Sequence, residues 1–148
     1  MSHTGMTLIV KNTARLVCSF IALFGVYIAL TGHLAPGGGF AGGVILAAAA
    51  VLIVLAFGRQ TAGRLITEPQ CHAWDAAGAA GFLLIALLGY FVGSFFGQFL
   101  PTGMSGEFVS GGAIPLSNLA ILVKVGAGLA GAFIALAAFR PSAAVREI

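Results

Sequence analysis

Gly32-His33-Leu34-Ala35-Pro36-Gly37-Gly38-Gly39-Phe40-Ala41-Gly42-Gly43 is the stretch on which the fold turns. It holds six glycines, one proline and one of only three histidines in the chain. A proline followed by three glycines cannot continue a helix, so the chain must break here. The apolar runs on either side are too long for an ordinary soluble core, and the break therefore reads as a tight turn at a membrane surface.

Composition supports that reading. The chain has 148 residues, 59% hydrophobic and only 7% charged, with a mean hydropathy of +1.07. A soluble domain carries about 25% charged residues, so a water-soluble fold is excluded and a single membrane domain over residues 1–148 is expected. The formal net charge of +3 does not indicate nucleic acid. The cations are thinly spread, with no basic stripe interleaved with aromatics. Cys18 lies in the first apolar run and Cys71 in a loop beside His72. Neither is assigned a function, since a metal site usually needs about four ligands. The first apolar run is too long for a signal-peptide core, so it is expected to remain as a spanning helix.

Working outward from the turn, four apolar segments approach the roughly 20 residues that a spanning helix requires. They predict an all-α integral membrane protein with transmembrane helices at about 7–31, 40–57, 76–99 and 116–139. Trp74 precedes the third as an interfacial anchor. Lys11, Arg15, Arg59, Arg64, Arg140 and Arg146 then fall on one side of the membrane, while the opposite loops offer only His33 and Glu107. Positive charge is retained on the cytoplasmic side, so both termini are predicted cytoplasmic.

Small residues recur at helical spacing. Gly89, Gly93 and Gly97 are placed on one face of the predicted third helix, and Ala127, Gly131 and Ala135 on one face of the fourth. Such stripes let helices approach closely in lipid. They fit contact between the two helices or with another subunit.

Lys124 is the most informative single residue, because a charge at a helix centre is unfavourable by roughly 2.5–3.5 kcal/mol in a bilayer. It either snorkels to the interface, meets a partner or lines a water-filled path. No Asp or Glu falls deep within the predicted helices, with Asp75 and Glu107 expected at opposite surfaces. The counter-charge is therefore expected on another chain. A desolvated lysine also suits the loading and unloading of protons. Asn118, nearer the outer end, and His33, just beyond the first helix, are weaker ion-pathway candidates; His33 is equally explained as a solvated or hydrogen-bonded loop residue. Tyr90 and Ser94 are expected to bond neighbouring backbone carbonyls within the third helix.

Gly37-Gly38-Gly39-Phe40-Ala41-Gly42 matches G-x-G-x-x-G, but a membrane helix precedes it and the next acidic residue is Glu68, so it is no dinucleotide fingerprint. There is no nucleophile motif, carboxylate pair or metal cluster, and the chain is expected to be neither an enzyme nor a cofactor or metal protein. Four helices with one charge are also few for a self-sufficient transporter.

The stretch from Gly32 to Ile45 resembles the G-H-x-x-P-G-G-G-F-x-G-G-V-I pattern of the MnhB family, the B-type component of Mrp multisubunit cation/proton antiporters, a domain found also in related membrane-bound hydrogenase complexes. The run from Pro115 to Leu129 is similar to that family's second characteristic region. The chain departs at Ala41, where Gln is common. The resemblance implies an accessory subunit in the bacterial cytoplasmic membrane, working with other membrane subunits in a complex that exchanges Na⁺ for H⁺. A membrane-arm subunit of a redox-driven ion pump is the alternative. The matched turn comprises His33, Pro36, Gly37, Gly38, Gly39, Phe40 and Gly42, and the matched buried charge is Lys124.

Overall fold

The computed structural model of the protein describes residues 6–58, 63, 66–104, 106 and 110–138. The four apolar segments form four helices: α1 (Leu8–Leu30), α2 (Gly39–Phe57), α3 (Glu68–Leu88) and α4 (Ile114–Ala138). All are long and apolar enough to cross a membrane, and the described residues contain no strand. The expectation of an all-helical, four-span membrane protein holds. Arg59, Arg64, Glu107, Arg140 and Arg146, on which much of the charge asymmetry rests, lie outside the described residues.

The third helix differs most from its expected span of 76–99. It starts at Glu68, because Thr67-Glu68-Pro69-Gln70 forms a capping box: the Thr67 N–H donates to Gln70 Oε1 at 3.2 Å, and Pro69 occupies the first turn. Trp74 and Asp75 therefore lie within α3 rather than before it. At its other end α3 tightens into a 3₁₀ turn over Gly89–Val92, which Gly93 stops in the left-handed region at φ +106°. The chain then folds back, and the Phe96 N–H donates to the Ala86 carbonyl at 3.2 Å. A Cβ at Gly89 would collide with the backbone of Phe96 and Gly97. Gly89, Gly93 and Gly97 thus form a fold-back and not a helix stripe. Tyr90 and Ser94 sit in it, both exposed.

The helices pack in the order α1, α2, α4, α3, with α1 touching α4 only lightly. The interior is thin. Its members are mostly Ala, Gly and Cys, with Val54, Ile85 and Leu122 among the few larger side chains. Even α2, packed between two helices, has only 33% of its apolar window buried. Phe20, Leu23, Phe91 and Leu136 point outward, as expected where lipid or another subunit replaces water.

Backbone proximity holds the row together. A Cβ at Gly25 would lie 2.9 Å from the Gly42 carbonyl oxygen, joining α1 to α2. One at Gly43 would lie 2.7 Å from Val125 Cβ and 2.9 Å from the Leu122 carbonyl, joining α2 to α4. One at Gly78 would lie 2.6 Å from the Lys124 nitrogen, joining α3 to α4. On the α4 stripe, Gly131 meets Cys71 of α3 and Ala127 borders a groove beside Trp74, whereas Ala135 is exposed. At the other end of the molecule from the Gly-rich turn, the Met6 N–H donates to the Ala56 carbonyl at 3.1 Å, and the Arg15 guanidinium lies 5.4 Å from the Phe57 ring centroid.

Overpacking a tight membrane-helix contact should cost about 1–3 kcal/mol. Gly43→Val is therefore expected to lower the heat-inactivation midpoint of detergent-extracted protein, read by fluorescence-detected size exclusion. Gly81→Ala, whose Cβ would meet Ala120 at an ordinary 3.8 Å, is expected to leave the midpoint unchanged or raise it.

Candidate functional site

Two polar features lie along α4, one near its N-terminal end and one near mid-span. At the N-terminal end the Gly-rich turn is moulded onto Asn118. A Cβ at Gly32 would lie 2.9 Å from Asn118 Nδ2, one at Gly38 would lie 3.5 Å from its Oδ1, and one at Gly39 would strike its carbonyl oxygen. The contact at Gly38 is an ordinary one, and it is the φ of +102° that requires glycine there. The turn is closed by hydrogen bonds from the Leu34 N–H to the Thr31 carbonyl at 2.8 Å and from the Gly38 N–H to the Ile28 carbonyl at 3.3 Å. His33 packs against Gly111, whose Cβ would sit 2.9 Å from the ring, and both ring nitrogens are enclosed. The motif therefore fits a backbone closely around one amide side chain and one imidazole.

The second feature is an ion pair. Lys124 Nζ donates to Asp75 Oδ1 at 3.0 Å, across the α3/α4 seam. The expectation of a counter-charge on another chain is thus corrected: the carboxylate is in this chain, one helix away. The cause is the start of α3, because a helix beginning at Glu68 carries Asp75 about 10 Å along its axis. Lys124 lies about 15 Å from the N-terminal end of α4 by the same rise. Both charges are held well inside their spans.

The seam is built to admit the pair. Gly78, one turn beyond Asp75, lets the backbone of Lys124 approach. Gly128, one turn beyond Lys124, leaves room for the carboxylate, since its Cβ would lie 3.3 Å from Asp75 Oδ1. Sequence reasoning does not single out Asp75, Gly78 or Gly128 as functional residues, although the Thr67-x-x-Gln70 box places the first two on the helix. The side chains of Lys124 and Asp75 remain 48% and 36% exposed on the chain's surface. They open into a depression of about 250 Å³ shared with Phe40, Val125, Gly128 and Leu129. Phe40, the aromatic of the Gly-rich turn, thereby connects that motif to the charged pair. His33, in the Gly-rich turn, and Asn118, against which the turn packs, do not join it. Among the described residues no three His, Cys, Asp or Glu side chains gather as metal ligands.

Four helices long and apolar enough to span a membrane, joined by a Gly-rich turn and carrying an ion pair on their surface, define a polytopic membrane protein. Residues 9–131 match the family described as the domain related to the MnhB subunit of Na⁺/H⁺ antiporter, and the chain belongs to that family. It is 35% identical over 134 residues to an uncharacterized protein of Methanocaldococcus jannaschii, covering 85% of this chain and 50% of that one. It is 43% identical over 88 residues to the B-type subunit of the Na⁺/H⁺ antiporter of Bacillus subtilis, covering 60% of this chain and 57% of the relative. The chain thus spans little more than half the length of these relatives. Among solved structures, a chain of the membrane-bound sulfane sulfur reductase, an archaeal respiratory membrane complex, superposes with a TM-score of 0.76 at 34% identity, over 92% of this chain and 60% of that one.

A lone charge at mid-span is unfavourable by roughly 2.5–3.5 kcal/mol, and pairing with an opposite charge offsets much of that cost. Asp75→Asn and Lys124→Met are each expected to destabilise the extracted protein by about 2–3 kcal/mol. The double variant is expected to recover to within about 1 kcal/mol of the parent, as measured by thermal inactivation. Additive losses would mean that the two side chains are not coupled.

Proposed function

We propose that this chain is an accessory membrane subunit of a multisubunit Na⁺/H⁺ antiporter in the bacterial cytoplasmic membrane. In this reading both termini are cytoplasmic, and the subunit itself performs no chemical catalysis. The observation that carries the reading is the Asp75–Lys124 pair, held in an MnhB-family chain at mid-span and left open on the surface. A paired carboxylate and ammonium on an open face suit charge exchange. One positive charge neutralises Asp75 at a time, so an arriving cation competes with the Lys124 ammonium for the same oxygen. The outer turn, through Phe40, shapes the approach to the pair. The chain contributes helices to the scaffold and one charge-exchange point to the ion path, while other subunits supply the remaining polar groups.

Loss of both charges is expected to leave subunit assembly intact, on native gels, and to abolish Na⁺-dependent proton flux in everted vesicles. Normal flux from the assembled double variant would remove the pair from the ion path. Lost assembly would make the pair structural.

A second reading, a membrane-arm subunit of a redox-driven ion pump, is favoured by the likeness to a respiratory membrane complex. In that case proton movement would require an electron donor, and addition of Na⁺ alone would not collapse a preformed pH gradient. For the proposed topology, C-terminal fusions are expected to give a fluorescent green protein and an inactive alkaline phosphatase.

A further inference from the structure

The α3/α4 seam has two unlike sides. On the Trp74 side, a shallow groove of about 390 Å³ runs past Ala77, Gly81, Leu84, Leu116, Leu119 and Val123, and it offers hydrocarbon nothing it cannot match. On the Asp75 side, the same seam exposes an ammonium and a carboxylate between Phe40 and Leu129, which are themselves 66% and 45% exposed. Lipid tails supply no hydrogen-bonding partner, so an open ion pair at this depth needs a protein or water-lined neighbour.

Its chemistry can be specified further. Lys124 has three N–H donors, of which Asp75 takes one, and Lys124 is the more exposed member of the pair. The pair is already neutral, so a third formal charge against it would be uncompensated in a low dielectric. We propose that the Asp75 side of the α3/α4 seam is the docking face for a transmembrane helix of a different subunit. That helix packs apolar or small residues on Phe40 and Leu129, and presents one uncharged hydrogen-bond acceptor to the Lys124 ammonium. The Trp74 side faces lipid. This inference rests on the accessory-subunit reading above and adds which face meets the neighbour and what that neighbour carries.

The test uses the intact complex in its native membrane. A photoreactive benzoylphenylalanine placed at Leu129 is expected to yield a covalent adduct with another subunit, mapping to a membrane helix with an uncharged acceptor near the adduct. The same probe at Leu84, on the opposite side, is expected to yield no subunit adduct. Exchanging the charges, as D75K/K124D, preserves a neutral pair but sets a carboxylate, itself only an acceptor, against the partner's acceptor, a repulsion that removing both charges does not create. It is expected to reduce co-purification of the neighbouring subunit, whereas a pair serving only its own chain would tolerate the exchange. The inference is overturned by a Leu129 probe that labels only lipid, by a homodimer adduct, by subunit adducts from both sides, or by full co-purification after the exchange. If the parent protein co-purifies with no other subunit, the accessory-subunit reading itself fails. Assembly and flux that persist without a Leu129 adduct would sink only the docking face.

Discussion

Everything in this molecule depends on how closely the backbone of α4 can be approached from two sides. Gly39 and Gly43 bring α2 against Asn118, Leu122 and Val125, while Gly78 brings α3 against Ala120 and Lys124. In lipid, where burial from water does not drive helix association, such close packing is the principal adhesive. Larger residues at these points would separate the helices, and nothing in the thin interior would compensate. The fold is thus a row built on one central helix, with its large apolar side chains turned outward.

That same closeness makes the charged site possible. An aspartate is short, and it reaches Lys124 only because Gly78 lets the two backbones meet and Gly128 leaves its carboxylate space. The chemistry therefore follows from the packing. The Gly-rich turn obeys the same rule. Gly32 and Gly39 are needed to let the chain fold against Gly38 and Asn118 without a collision, whereas Gly38 is needed for its left-handed φ.

Much of this is legible from residues alone. The break at Pro36 to Gly39, the number of spans and the oddness of Lys124 all follow from hydropathy and helix chemistry, and three of four helices lie close to their expected bounds. The exception is instructive. Hydropathy places a helix where the apolar run begins, but Thr67, Pro69 and Gln70 nucleate α3 earlier, in residues polar enough to read as loop. That displacement hides Asp75 and makes Lys124 look unpartnered. At the other end, Gly89 and Gly93 end a helix that hydropathy alone would extend through Phe99. The pairing itself is beyond sequence reasoning, because it requires knowing which face of α3 meets α4.

In the accessory-subunit reading, placing both charges in one chain changes what kind of subunit this can be. A lone intramembrane lysine would bind the chain to whichever partner held the acid, and folding and assembly would be a single event. A pair closed within the chain is neutral before any partner arrives, so the chain can enter the bilayer and fold first. Assembly then has to satisfy only the donors and oxygens that the pair leaves open, a smaller and more specific demand. It also leaves the charges exchangeable, since neither is locked into a sealed core. A site that is neutral as a whole, yet half open at mid-span, is stable enough to build and accessible enough to use.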